Sequence, residues 1–152
     1  MFRGLYDNLL DDKGRVAFPT ELRATLESMG GSDRFVLTQS LYEPCLVAMT
    51  ESEFESMALK IRALPPSNPA VIEFKRVVIA SSYVANIDKA GRVSIPKELR
   101  GYAALEREVV WAGIIDTIEL WSKARWDFKN AARLEDKEGL EKLRQTLESF
   151  GL

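Results

Sequence analysis

The chain has 152 residues, of which 46% are hydrophobic and 29% charged, the balance of one ordinary folded domain or two small ones. Its formal net charge is −2, and it holds no histidine and a single cysteine. These numbers exclude a uniformly basic nucleic-acid coat, the Ser-His-Asp and Cys-His nucleophile arrangements, an internal disulfide and a multi-cysteine zinc site.

In chain order, Leu5 to Leu10 reads as a short strand. Asp11-Asp12-Lys13-Gly14 follows as a turn, with Asp first and Gly fourth. Arg15 to Phe18 alternates across a second strand that puts Val16 and Phe18 on one face. Pro19 suits the first turn of a helix striped by Leu22, Leu26 and Met29 and ended by Gly30-Gly31. Strands are expected at Phe35–Leu37 and Cys45–Met49. Thr50-Glu51-Ser52-Glu53 is a capping box for a helix to about Leu64. Pro65-Pro66-Ser67-Asn68-Pro69 is a linker whose Asn68 caps a central helix. That helix is apolar at Val71, Ile72, Phe74, Val77, Val78 and Ile79, so it is expected to be well buried.

The pattern then starts again. Tyr83 to Ile87 reads as a strand, Asp88 to Gly91 as a turn, Arg92 to Ile95 as a strand, and Pro96 opens a short helix near Gly101. Later strands are expected at Val109–Ala112 and Ile118–Trp121, with Ser122 capping a helix that contains Trp126. Trp111, Trp121 and Trp126 read as core packing rather than base stacking. The order is β-turn-β-α-β-β-α, twice. The organisation expected is a first repeat with its helix over 1–64, a linker and central helix over 65–82, a second repeat over 83–134, and a polar helical tail over 135–152.

The two copies match residue by residue. Asp11 to Arg23 aligns with Asp88 to Arg100 at an offset of 77 without a gap, and 8 of 13 positions are identical. Background usage predicts roughly one match over that length. A unit used twice presents the same surface at two related places, which suits a ligand that itself repeats.

Turn geometry accounts for Asp11, Gly14, Asp88 and Gly91, but not for an arginine straight after each glycine. Arg15 and Arg92 read either as solvated strand positions or as ligand contacts. In the second reading Asp11 and Asp88 pin the guanidinium groups for bidentate binding of a phosphate or a guanine edge. Lys89, Arg92, Lys97 and Arg100 against Asp88 and Glu98 make the second copy +2. Lys13, Arg15 and Arg23 against Asp11, Asp12 and Glu21 make the first neutral.

Cys45 lies in an apolar run and reads as a packing residue. No glycine loop for phosphate, calcium loop or other metal signature is present, so neither a cofactor nor a small-molecule substrate is expected, and the chain reads as a non-enzyme. No apolar stretch approaches the roughly 20 residues that span a bilayer, and Met1 to Asp7 lacks a signal-peptide core. A soluble, intracellular protein without a membrane partner is expected.

The unit Asp-x-x-Gly-Arg-Val-x-φ-Pro-x-Glu-Leu-Arg (φ apolar) resembles the AbrB/SpoVT-type DNA-binding domain. Two copies in one chain that opens Met1-Phe2-Arg3-Gly4 resemble the MraZ family, as do Asn68-Pro69, Lys75-Arg76 and Trp121. The resemblance implies an α+β fold with a mainly β core: two tandem swapped-hairpin β-barrel repeats related by a pseudo-two-fold, with flanking helices. It implies a cytoplasmic, nucleoid-associated bacterial transcriptional regulator. Such a protein binds repeated double-stranded DNA boxes upstream of its own cell-division and cell-wall gene cluster, as a ring-shaped homo-oligomer. The family's Asp-x-x-x-Arg signature falls on Asp11 with Arg15 and on Asp88 with Arg92, joined by Lys13 and Lys89, while Arg23, Lys97 and Arg100 are further basic candidates. The other reading is an oligomeric protein-interaction or antitoxin-like module whose arginines pair with acidic partners.

Overall fold

Each copy opens with a strand, a tight turn and a short strand, because Asp and Gly at the turn positions leave the chain little else to do. A computed structural model describes residues 1–152. The first copy supplies β1 (Phe2–Leu9), β2 (Arg15–Ala17), α1 (Thr20–Ser28), β3 (Arg34–Gln39), β4 (Leu46–Met49) and α2 (Glu51–Arg62). The second supplies β5 (Tyr83–Asn86), β6 (Arg92–Ser94), α4 (Lys97–Tyr102), β7 (Glu108–Ile115), β8 (Thr117–Ser122) and α5 (Lys123–Glu135). Between them lies α3 (Pro69–Phe74), which widens into a π turn over Lys75–Ile79, and α6 (Lys137–Ser149) ends the chain. The chain forms two compact units, Met1–Ser122 and Lys123–Leu152. No helix is long and apolar enough to cross a membrane.

The fold of the first unit is α+β, built on antiparallel strands. A six-stranded sheet has the order β1-β7-β8-β4-β3-β5, and β2 and β6 form a separate two-stranded ribbon. The first strand of each copy pairs with the third strand of the other: β1 with β7, and β5 with β3. Neither copy therefore closes its own sheet.

The pairing registers set equivalent positions of the two copies opposite one another. Val16 stands opposite Val93 on the ribbon, and these are the same repeat position. On the large sheet Val47 stands opposite Glu119, equivalent positions when Leu46–Thr50 is aligned with Ile118–Ser122. Hydrogen bonds at the ribbon ends match in the same way: the Phe18 amide donates to the Gly91 carbonyl at 2.9 Å, and the Ile95 amide to Gly14 at 2.8 Å.

Both copies fill one core. Val16, Phe18, Leu22 and Leu26 of the first are buried with Val93, Ile95 and Leu99 of the second. Phe18 stacks on Phe35 with ring centroids 5.0 Å apart and meets Trp111 edge-on at 5.2 Å. The Trp111 indole N–H donates to the Ala17 carbonyl at 3.1 Å, so this wholly buried ring also has its polar group satisfied. Trp121 and Cys45 are buried as expected. Trp126, expected in the core, is instead half-exposed on α5 in the second unit.

Two of the expected helix caps form, at Thr50 and Asn68. Thr50 Oγ1 accepts from the Glu53 amide at 3.1 Å, and Asn68 Oδ1 from the Ala70 amide at 2.9 Å. Two other expectations are corrected. The strands at 2–9 and 108–115 are longer than their apolar cores suggest, because they pair with each other along their full length. The central helix is not well buried. Only Val71 and Val78 are covered, and Ile72, Phe74, Val77 and Ile79 are half-exposed. A run apolar all round needs partners on every side, and this segment is covered on one.

Candidate nucleic-acid interface

The first hairpin is held by one carboxylate. Asp11 Oδ1 accepts from the backbone amides of Lys13 at 2.9 Å and Arg15 at 2.8 Å, while Oδ2 accepts from Arg15 Nε at 2.8 Å. One side chain thus closes the turn and fixes the guanidinium. The Asp11 carboxyl is held below its ordinary range, first because the Arg15 amide donates to it, with the Arg15 guanidinium and the Lys13 amide adding to the effect against partial desolvation.

The second hairpin repeats the arrangement more loosely. Asp88 Oδ1 accepts from the Ala90 and Arg92 amides, both at 2.9 Å. Arg92 Nε lies 3.4 Å from Asp88 Oδ2, an ion pair, yet makes no hydrogen bond. The Asp88 carboxyl is likewise lowered, chiefly by the Arg92 amide.

The ribbon brings the two clasps together. Residues opposite one another on paired strands point to the same face. Val16 and Val93 point into the core. Arg15, Ala17, Arg92 and Ser94 therefore all point outward. Arg15 pairs with Ser94 and Ala17 with Arg92, so the two arginines are diagonal neighbours, about 7–8 Å apart by strand geometry. Their side chains are 33% and 40% exposed. Lys13 and Lys89 are exposed at the turns and pair with no carboxylate.

The remaining basic candidates divide. Arg23 is engaged, with Nη2 2.8 Å from Asp33 Oδ1 and Nε 3.8 Å from Glu27. Lys97 is exposed in the first turn of α4, where the helix dipole disfavours a cation. Arg100 does not serve the hairpin of its own copy. It lines a pocket of about 240 Å³ with Leu10, Asp11, Asp12, Leu105, Glu106 and Arg107, beside the first hairpin. Charge counted along the sequence thus misassigns Arg100, and it passes over Arg107 altogether. The sequence held no signal for it: the segments around Asp33 and Arg107 share almost no identity, and only their matching backbone hydrogen bonds, Leu10 amide to Arg107 and Ile87 amide to Asp33, align them.

Comparison with known proteins bears on this surface. Residues 78–145 match the model of a family described as "MraZ protein, putative antitoxin-like". A protein of Pediococcus pentosaceus is 34% identical over 152 residues, the whole of both chains. The chain belongs to the MraZ family. A member from Acetivibrio thermocellus is 37% identical over 127 residues, 84% of this chain and 85% of that protein. One from Halothermothrix orenii is 34% identical over the full length of both. All three of these MraZ relatives are named "Transcriptional regulator MraZ".

Proposed function

We propose that this chain is a transcriptional regulator that reads double-stranded DNA with the outer face of its β2–β6 ribbon. The observation that carries the reading is the pair of arginines, Arg15 and Arg92, on one exposed face, each held by an aspartate. A guanidinium fixed in advance loses less freedom on meeting a phosphate or a guanine edge. Arg15 and Arg92 make the specific contacts and Asp11 and Asp88 orient them. Lys13 and Lys89 add backbone attraction, with Arg23, Lys97 and Arg100 as flanking charges. The exchange of first strands between copies supports the swapped-hairpin barrel of AbrB/SpoVT type.

The target is a set of repeated boxes upstream of the protein's own gene at the head of a cell-division and cell-wall cluster, and the protein acts in the cytoplasm at the nucleoid. A chain of net charge −2 cannot hold DNA by its general charge. A ring of copies answers that problem, because tethered weak sites raise effective concentration.

The test is a gel-shift series on the DNA just upstream of the gene, at stated salt. Arg15→Ala with Arg92→Ala loses binding while folding is kept. Wild-type affinity in that double variant ends the proposal. The family description "antitoxin-like" favours a second reading, in which the ribbon holds an acidic protein partner. Partners retained from lysate after nuclease digestion, with no preference for upstream over scrambled duplex, select it.

A further inference from the structure

Arg23 and Arg100 occupy the same repeat position and have opposite fates. Arg23 is tied to Asp33 by Nε at 2.9 Å and Nη2 at 2.8 Å, with Glu27 near. In the second copy neither acid exists. The Leu10 amide donates to the Arg107 carbonyl as the Ile87 amide donates to Asp33, so Arg107 stands where Asp33 does. Four residues after Arg100, where Glu27 follows Arg23, the chain has Ala104, an uncharged residue just past the end of α4. Arg100 thus has a like charge where Arg23 has its acid, and it forms no ion pair although Asp11, Asp12 and Glu106 line the same pocket.

Arg100 turns instead onto the other copy's hairpin. A Cβ placed on Gly14 would lie 2.8 Å from both Cζ and Nε of Arg100. The same construction on Gly91, the counterpart of Gly14, meets nothing within 4 Å. Arg100 Nε is buried without a hydrogen-bond partner, as expected of a guanidinium packed on a turn rather than aimed at an acceptor. The hairpin it covers has the closed Arg15–Asp11 hydrogen bond at 2.8 Å, and the uncovered one has the open 3.4 Å pair.

We propose that Arg100 is a positioning residue for the first hairpin, bracing Gly14 so that Arg15 discriminates sequence more sharply than Arg92 does on the unbraced second hairpin. The discrimination role rests on the DNA-reading function proposed above; the brace does not. Hydrogen exchange in the free protein tests the brace. The Lys13 and Arg15 amides, both bonded to Asp11, exchange about tenfold more slowly than the Ala90 and Arg92 amides. Arg100→Ala removes that difference, and Arg23→Ala leaves it. Arg107→Asp supplies the missing acid, draws Arg100 away and reproduces Arg100→Ala; Arg107 is exposed, so this variant spares the core. Arg100→Lys keeps the charge without the planar group and fails to rescue.

Selection from a randomised duplex pool tests the discrimination. Arg100→Ala relaxes the positions that Arg15→Ala relaxes and leaves those lost in Arg92→Ala. Equal exchange of the two hairpins in the wild type, full rescue by lysine, or an unchanged motif in Arg100→Ala overturns the proposal. A wild type that enriches no sequence overturns the DNA reading and the discrimination role with it, while exchange still decides the brace.

Discussion

Val16 and Val93 face each other across the β2–β6 ribbon, and each is the other's counterpart in the repeat. Both are buried, and together they hold the ribbon against the core while Arg15 and Arg92 stand on its other face. The outward geometry of the arginines depends on these two inward methyl pairs.

Truncating either valine should loosen the ribbon. Val16→Ala or Val93→Ala is expected to cost about 1–3 kcal/mol, from lost transfer energy and the remaining cavity. Because the side chains share one site, the double variant should depart from additivity by about 0.5 kcal/mol or more. Urea denaturation of the four proteins measures it.

Gly14 and Gly91 have nearly equal positive φ, +78° and +76°, so backbone strain on adding a side chain is the same at both. Their surroundings differ, since Gly14 is covered by Arg100 and the Ile95 carbonyl. Gly91→Ala is expected to cost about 1–2 kcal/mol, and Gly14→Ala about 1–3 kcal/mol more for the overlap. Equal midpoints for the two variants would contradict the crowding at Gly14.

The β7–β8 hairpin turns through Ile115 and Asp116, and Ile115 holds a φ of +60°. A β-branched residue is strained there, at the first turn position, where a type II′ turn takes glycine. Ile115 is largely exposed, so little packing is lost on removing it. Ile115→Gly is expected to stabilise the protein by about 1 kcal/mol, roughly 2–4 °C in Tm. A lower Tm would show that the isoleucine side chain has a packing role.

The carboxyls of Asp11 and Asp88 are both lowered from the ordinary value of 3.8 by the amides they accept. The sign follows directly. A depressed acid stabilises the folded hairpin fully above 3.8 and loses that contribution as pH falls through the lowered value. The Arg15 and Arg92 amide resonances should therefore titrate together with their aspartates, below the usual carboxylate range. In Asp11→Asn and Asp88→Asn the corresponding titration should vanish.

For Arg15→Ala alone, operator affinity should fall by about 1–3 kcal/mol with relaxed preference at one position. In Lys13→Ala the loss should be uniform across sequences, and the salt slope should decrease by about 0.9. Filter binding at several salt concentrations separates the two behaviours. An identical pattern in both variants would remove the division between base and backbone contacts.

Local chemistry was legible in the chain. Asp11 and Asp88 close their turns on amides two and four residues away, and Thr50 and Asn68 cap helices on amides three and two residues away. Such contacts form within a few residues, so spacing alone specifies them. Tertiary structure decided the partners. Nothing in the periodicity of Phe2–Leu9 says that it pairs with Glu108–Ile115, because every strand offers the same backbone donors and acceptors. Nor does the identity of Arg23 and Arg100 reveal that one is held by Asp33 while the other crosses to Gly14. That difference comes from Asp33 and Arg107, whose equivalence appears only when the strands interlock. A guanidinium takes its role from the charges that folding places around it.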